Sequence, residues 1–186
     1  MFIQIEETPN PNTLKFMPGM PVNNGKISEF ADDVTAESSP FATALFRIAH
    51  VKNVFFGGDF VSVTKSDDID WDILKPEVLT VIMDFLTLNP DNTIENLDEE
   101  EVEEFFDEKD IEMVNKIKEL INDYVKPAVA QDGGDIKFRG YSNGIVFVKL
   151  RGACSGCPSA SITLKEGIYN MLTYYIPDIQ GVESIQ

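Results

Sequence analysis

Cys154 and Cys157 are the only cysteines in 186 residues. They form a C-x-x-C inside Gly152-Ala153-Cys154-Ser155-Gly156-Cys157-Pro158-Ser159. Two thiolates at this spacing make half of a tetrahedral site, and sulfur donors suit zinc or an iron–sulfur cluster. A closed site of either kind wants about four protein ligands. The only histidine, His50, lies far away in the chain. Either carboxylates complete the set, with Asp132 and Asp135 as candidates, or a second copy of the chain does. Oxygen ligands are poor for a sulfur-bridged cluster, whereas a symmetric dimer supplies Cys154 and Cys157 twice about one two-fold axis. Such a site is exposed at an interface and held by two bonds per subunit. It suits a cluster that is handed on, because incoming thiolates can replace the donors stepwise.

The surrounding pattern says how these residues are positioned. Ile145 to Leu150 reads as the return strand of a hairpin whose turn is Asn143-Gly144, a strong type I′ signal. A helix is expected from about Pro158 to Tyr175, with Ile162, Leu164, Ile168, Met171 and Leu172 at helical spacing and Pro177 past its end. Cys157 then sits near the N-cap and Pro158 at the first helical position. The helix dipole and free N–H groups should lower the thiol pKa, with Lys149 and Arg151 as possible additions. Gly152 and Gly156 let the backbone approach an ion. Upstream, Ile111, Val114, Ile117, Ile121 and Tyr124 predict an amphipathic helix from about Asp110 to Val125, its end disturbed by Pro127. Gln131-Asp132-Gly133-Gly134-Asp135 predicts a turn with two positions free to take positive φ, Ile136 to Tyr141 a strand, and Gly181 to Ile185 a third strand. The order helix, hairpin, helix, strand is an α+β unit with one sheet face covered by helices.

The remaining sequence divides by charge. Residues 1–94 carry 6 basic and 14 acidic side chains, 95–108 carry 9 acids and no base, and 109–186 carry 9 of each, summing to the net −17. That balance argues against nucleic acid or an anionic membrane as partner. The predicted organisation is therefore an α+β domain over 1–90, an acidic linker over 91–108 and a cysteine-bearing domain over 109–186. Val102, Phe105 and Phe106 have helical spacing, so a short docked helix competes with an extended, self-repelling linker. In the first domain, Phe2–Glu6 and Thr13–Met17 suggest a hairpin around Pro9 and Pro11. Ser39 caps a short helix beginning at Pro40. Val51–Phe56 and Phe60–Lys65 flank Gly57-Gly58-Asp59 as a second hairpin, and a helix follows from about Leu74 to Leu88. His50 reads as a boundary histidine. Asp67, Asp68, Asp70 and Asp72 around Trp71 read as a solvated turn without the spacing of a calcium loop. With no leader and no apolar run of about 18 residues, the expected compartment is the cytoplasm, or an organelle matrix after presequence removal.

Leu150-Arg151-Gly152-Ala153-Cys154-Ser155-Gly156-Cys157-Pro158-Ser159-Ala160, continuing Thr163-Leu164-Lys165-Glu166-Gly167-Ile168, resembles the signature of the NifU C-terminal-like, or Nfu, iron–sulfur carrier family. Lys126-Pro127 and Asp132-Gly133-Gly134-Asp135 resemble the start of the same domain. Phe2-Ile3-Gln4, Thr8-Pro9-Asn10-Pro11-Asn12, Leu14-Lys15-Phe16 and Pro18-Gly19 resemble the Nfu N-terminal domain. Ala160 and Tyr169 depart from the common pattern at positions that are not ligands. The resemblance implies a non-enzymatic scaffold that holds a [4Fe-4S] cluster between the subunits of a homodimer through Cys154 and Cys157. It also implies receipt from upstream donors and delivery to apo-proteins. Two other readings of the same motif are a thiol–disulfide redox protein and a zinc-clasped dimeric module. No βαβ pattern or preceding aromatic residue supports the redox reading, and colour would distinguish a brown cluster protein from either alternative.

Overall fold

The computed structural model describes residues 2–89, 103–155 and 158–185, and the side chains of all of these except 158–161. The chain divides into two compact units, Met1–Glu99 and Glu100–Gln186. Both mix helices with sheet.

In the first unit, β1 (Gln4–Glu7), β2 (Thr13–Met17), β3 (Ser28–Phe30), β4 (Val51–Phe56) and β5 (Val61–Lys65) form one antiparallel sheet in the order β1-β2-β5-β4-β3. Both expected hairpins form. The helices are α1 (Asp33–Ala36), α2 (Pro40–Phe46) and α3 (Trp71–Leu88). Ser39 caps α2, its hydroxyl accepting from the Ala42 N–H at 3.2 Å. Alternate strand positions and one stripe of α3 bury Phe16, Val61, Val63, Leu74, Val78, Ile82 and Leu86. Phe41 of α2 lies between Phe56 and Phe85, with centroids 4.9 and 4.4 Å away. Helix α3 starts three residues before the expected Leu74. The Trp71 indole N–H donates to the Pro11 carbonyl at 3.2 Å, which fixes the first turn against the β1–β2 connection. The acids nearby serve the same turns: Asp67 accepts from Asn12, and the Ser66 hydroxyl, bonded to Asp68, holds that carboxyl below its ordinary pKa.

In the second unit, α4 (Ile111–Leu120) passes through a π-helical turn (Ile121–Val125) into α5 (Lys126–Gln131). Strands β6 (Gly134–Ser142) and β7 (Ile145–Gly152) pair antiparallel, α6 runs from Pro158 to Tyr175, and β8 (Gly181–Ser184) returns parallel to β7. Pro127 does not end the helix as expected. The Lys126 N–H reaches back five residues to the Ile121 carbonyl, and this wider turn accommodates a proline without a donor. The extra residue also changes which side chains face inward. Val125 is buried, whereas Tyr124, expected on the apolar face, is 54% exposed and stacks on Tyr175 at 5.7 Å. Ile111, also expected inside, is exposed. The hairpin turn takes the predicted form, with Asn143 at φ 51° and Gly144 at φ 81°.

Part of the predicted acidic linker is described. Residues 90–102, Val102 included, lie outside the described residues. Phe105 is not helical. Its N–H donates to the Arg139 carbonyl at 3.1 Å and its carbonyl accepts from the Tyr141 N–H at 2.9 Å, a bridge to the outer edge of β6. Phe106 packs on the core of this unit, and Glu104 pairs with Lys118.

Candidate metal centre

The β6–β7 ladder builds the cysteine site from its register. It sets Gly134 opposite Gly152 and Asp135 opposite Arg151. Beyond β7 the chain turns at Gly152, whose φ is 66°, a conformation that favours glycine. The Ala153 N–H donates to the Gly133 carbonyl at 3.2 Å. The Ser155 N–H and hydroxyl both donate to the Gly152 carbonyl, at 3.1 and 2.8 Å. These bonds fold the loop back under the start of β6 and bury Cys154, which is 6% exposed.

Gly134 explains that burial. Of the two positions free to take positive φ, only Gly133 does so, at 81°. Gly134 is needed for space. A Cβ there would lie 2.6 Å from the Arg151 carbonyl oxygen and 2.8 Å from Cys154 Sγ. The sulfur thus packs directly on the Gly134 backbone.

The electrostatics reverse a second expectation. The Cys154 thiol is pushed up to about 12, first by burial and then by the negative charges of Asp132 and Asp135. Lys149 and Arg151 were expected to add positive charge here; the helix-start effect was expected at Cys157, which lies outside the described residues. The loop instead points Sγ inward, where the charged form loses its hydration. Arg151 is committed elsewhere: its Nε and Nη2 donate to Asp135 Oδ2 at 3.2 and 2.5 Å. Asp135 is 4% exposed, so the pair is largely buried. Asp132 and Asp135 act on the sulfur through their charge.

Cys157, Gly156 and the side chain of Ser159 lie outside the described residues. Pro158 begins α6, as its sequence position required. Ile162, one turn into α6, is 59% exposed. Among the described residues, no three of His, Cys, Asp and Glu come together as a metal site. His50 belongs to the first unit and is tied down there. Its Nδ1 lies 3.3 Å from both Ser66 Oγ and Asp68 Oδ2. Its φ of 72° is strained for a residue with a side chain. The Asp135–Arg151 pair escaped sequence reasoning: the two lie eight and seven residues from the Asn143-Gly144 turn, and the bulge between Phe138 and Gly140 brings them opposite each other.

Comparison with known proteins covers both units. Residues 3–89 match the family described as "Scaffold protein Nfu/NifU N terminal", and residues 117–183 match "NifU-like domain". The human "NFU1 iron-sulfur cluster scaffold homolog, mitochondrial" is 47% identical over 186 residues, covering 100% of this chain and 72% of the human protein. The Drosophila ananassae protein of the same name is 46% identical, with 100% of this chain and 64% of that protein covered. "NifU-like protein 5, mitochondrial" of Arabidopsis thaliana is 46% identical, with 98% and 67% covered. The chain thus spans about two thirds of the length of these relatives. The solution structure of a NifU-like protein from Saccharomyces cerevisiae aligns with a TM-score of 0.45 at 23% identity, covering 53% of this chain and 87% of that one.

Proposed function

The chain belongs to the Nfu/NifU-like scaffold family, and from that premise we propose that it carries iron–sulfur clusters as cargo. In this reading Cys154 and Cys157 of two subunits hold one [4Fe-4S] cluster, which comes from upstream donors and passes to apo-proteins. The observation that carries it is Cys154 itself. It lies at the tip of a rigid strand pair, seated against the backbone of Gly134, in a sequence with one other cysteine. Four thiolates then require two copies. The exposed Ile162 supplies apolar surface for a contact between them. The protein acts stoichiometrically as a scaffold rather than as an enzyme. Its thiols need a reducing compartment, either a bacterial cytoplasm or a mitochondrial matrix. No helix among the described residues is long and apolar enough to cross a membrane.

The chemistry follows from the chain's own groups. Cys154 must lose its proton and turn toward solvent to bind iron, so loading releases a proton and opens the loop. The same cost favours release, because a departing cluster returns the sulfur to its packed, neutral state. A resident redox centre would hold its ligands more firmly.

Anaerobic reconstitution with iron and sulfide tests the proposal. We expect about four of each per dimer, a Mössbauer signature of a cubane cluster and a mass doubled on loading. Cys154→Ser and Cys157→Ser should each abolish loading. A Cys154→Ser protein that still held a full cluster and transferred it to an apo-acceptor would overturn the ligand assignment. Stoichiometric zinc in a colourless native protein would favour the clasp instead.

A further inference from the structure

The sheet of the second unit has two unlike faces. Ile136, Phe138, Val146, Val148 and Leu150 are buried in the core with the helices. Lys137, Arg139, Phe147, Lys149 and Arg151 alternate with them, lie on the opposite face and are half-buried. Register places Lys137 beside Lys149. At the bulge between Phe138 and Gly140, Arg139 is the extra residue, which aims it onto this same face. Four of the nine cations in residues 109–186 are gathered here. At the far end the Phe105 ring covers Gly140, where a Cβ would meet it at 2.5 Å, and lies 5.1 Å from Phe147.

Two of these cations have no polar partner for their side-chain nitrogens among the described residues. Arg139 Nε is buried and has no hydrogen-bond partner there. Lys149 forms no ion pair among the described residues. Arg151, by contrast, is spent on Asp135. A buried guanidinium N–H without an acceptor is costly, and its fork geometry matches a carboxylate. Lys149 precedes Cys154 by five residues on the strand that ends at the cysteine loop, so the face adjoins the site, at on the order of 15 Å.

We propose that this face docks an acidic polypeptide segment of the protein that gives or receives the cluster; the inference rests on the scaffold reading above. Carboxylates of the segment bond Arg139 and Lys149, and apolar residues between them rest on Phe147 and Phe105. A nucleic acid fits less well. The chain as a whole carries −17, which repels a continuous phosphate backbone, whereas spaced carboxylates match spaced cations. The docked partner is thereby held against the cysteine loop.

The test uses the full chain, Arg139→Gln/Lys149→Gln and a control, Lys26→Gln/Lys52→Gln, altered in the first unit. The probes are a labelled twelve-residue peptide alternating Glu with Ala and Phe, and a single-stranded oligonucleotide of equal charge. Fluorescence anisotropy should show peptide binding that weakens with added salt and falls at least tenfold in the Arg139/Lys149 variant, since each lost charge contact is worth roughly that factor. The control should bind as the unaltered chain does. Iron and sulfide loading should be equal in all three proteins. Equal peptide binding in both variants, no binding to the unaltered chain, or tighter binding of the oligonucleotide would overturn the docking proposal. Failure of all three to load would sink the scaffold reading instead.

Discussion

Gly134→Ala is the sharpest probe of the cysteine site, because one methyl group is aimed at one sulfur. The backbone at Gly134 is ordinary β, so alanine brings no conformational strain, and its whole effect is steric. The new Cβ would lie 2.6 Å from the Arg151 carbonyl and 2.8 Å from Cys154 Sγ. Ordinary contacts for these atom pairs are about 3.4–4 Å, so something must yield by roughly 1 Å. The carbonyl belongs to the β6–β7 ladder and resists. The sulfur sits on a loop and gives way first. Overpacking of this kind costs about 1–3 kcal/mol, or a fall of roughly 4–24 °C in the melting temperature of a unit this size. Circular dichroism would measure the melt. Reaction of the apo protein with a disulfide reagent would follow the thiol, which should react faster once pushed from its seat. Cluster loading should fall even at temperatures where the fold is intact. Unchanged melting and unchanged thiol reactivity would refute the claim that Gly134 seats the sulfur.

Other consequences are as direct. Gly167 lies in α6 with nothing within 4 Å of an added Cβ, so Gly167→Ala should stabilise the second unit by about 0.5–1 kcal/mol, read from its denaturant midpoint. Asp135→Ala leaves Arg151 largely buried without its partner and should cost about 3 kcal/mol in guanidinium unfolding. The same change removes a negative charge near Cys154, so the thiol should titrate below its value in the unaltered chain when followed by thiolate absorbance. The raised thiol pKa also fixes a pH dependence. An unfolded cysteine titrates near ~8.5, and the folded one at about 12. Stability from the neutral buried thiol is therefore complete below about pH 8.5 and declines as pH rises toward 12. Urea melts of the apo protein between pH 8 and 11 should show that fall, and Cys154→Ala should flatten it. Loading moves the other way, becoming more favourable as pH rises, because a proton is released.

Much of this molecule was legible in its sequence, for identifiable reasons. Short-range signals held: Asn143-Gly144 made its turn, Ser39-Pro40 started its helix, and α6 began at Pro158. Alternation gave β6 and β7 because that sheet buries one face, whereas β2 and β5 are buried at nearly every position. What failed depended on contacts between segments distant in sequence. The π-helical turn at Ile121–Val125 answers Pro127 by widening the helix, and a strict 3.6-residue period cannot anticipate the shift that exposes Tyr124. The depth of Cys154 depends on Gly134, twenty residues upstream, and motif reasoning treated that glycine as a turn residue. At Cys154 the sulfur points inward, so burial and two carboxylates set its charge rather than the nearby cations. The docking of Phe105 was likewise hidden, because the acids around it suggested repulsion while its ring had a place waiting over Gly140.

The seat behind Gly134 also bears on how an empty carrier survives. A thiol pushed up to about 12 is far less ionised at pH 7 than an ordinary cysteine. It is the thiolate that reacts with peroxide and disulfides, so the unloaded protein should oxidise at Cys154 more slowly than an exposed thiol would. Under the proposed carrier role, the buried sulfur would be protected while the protein is empty and would regain reactivity when drawn toward iron.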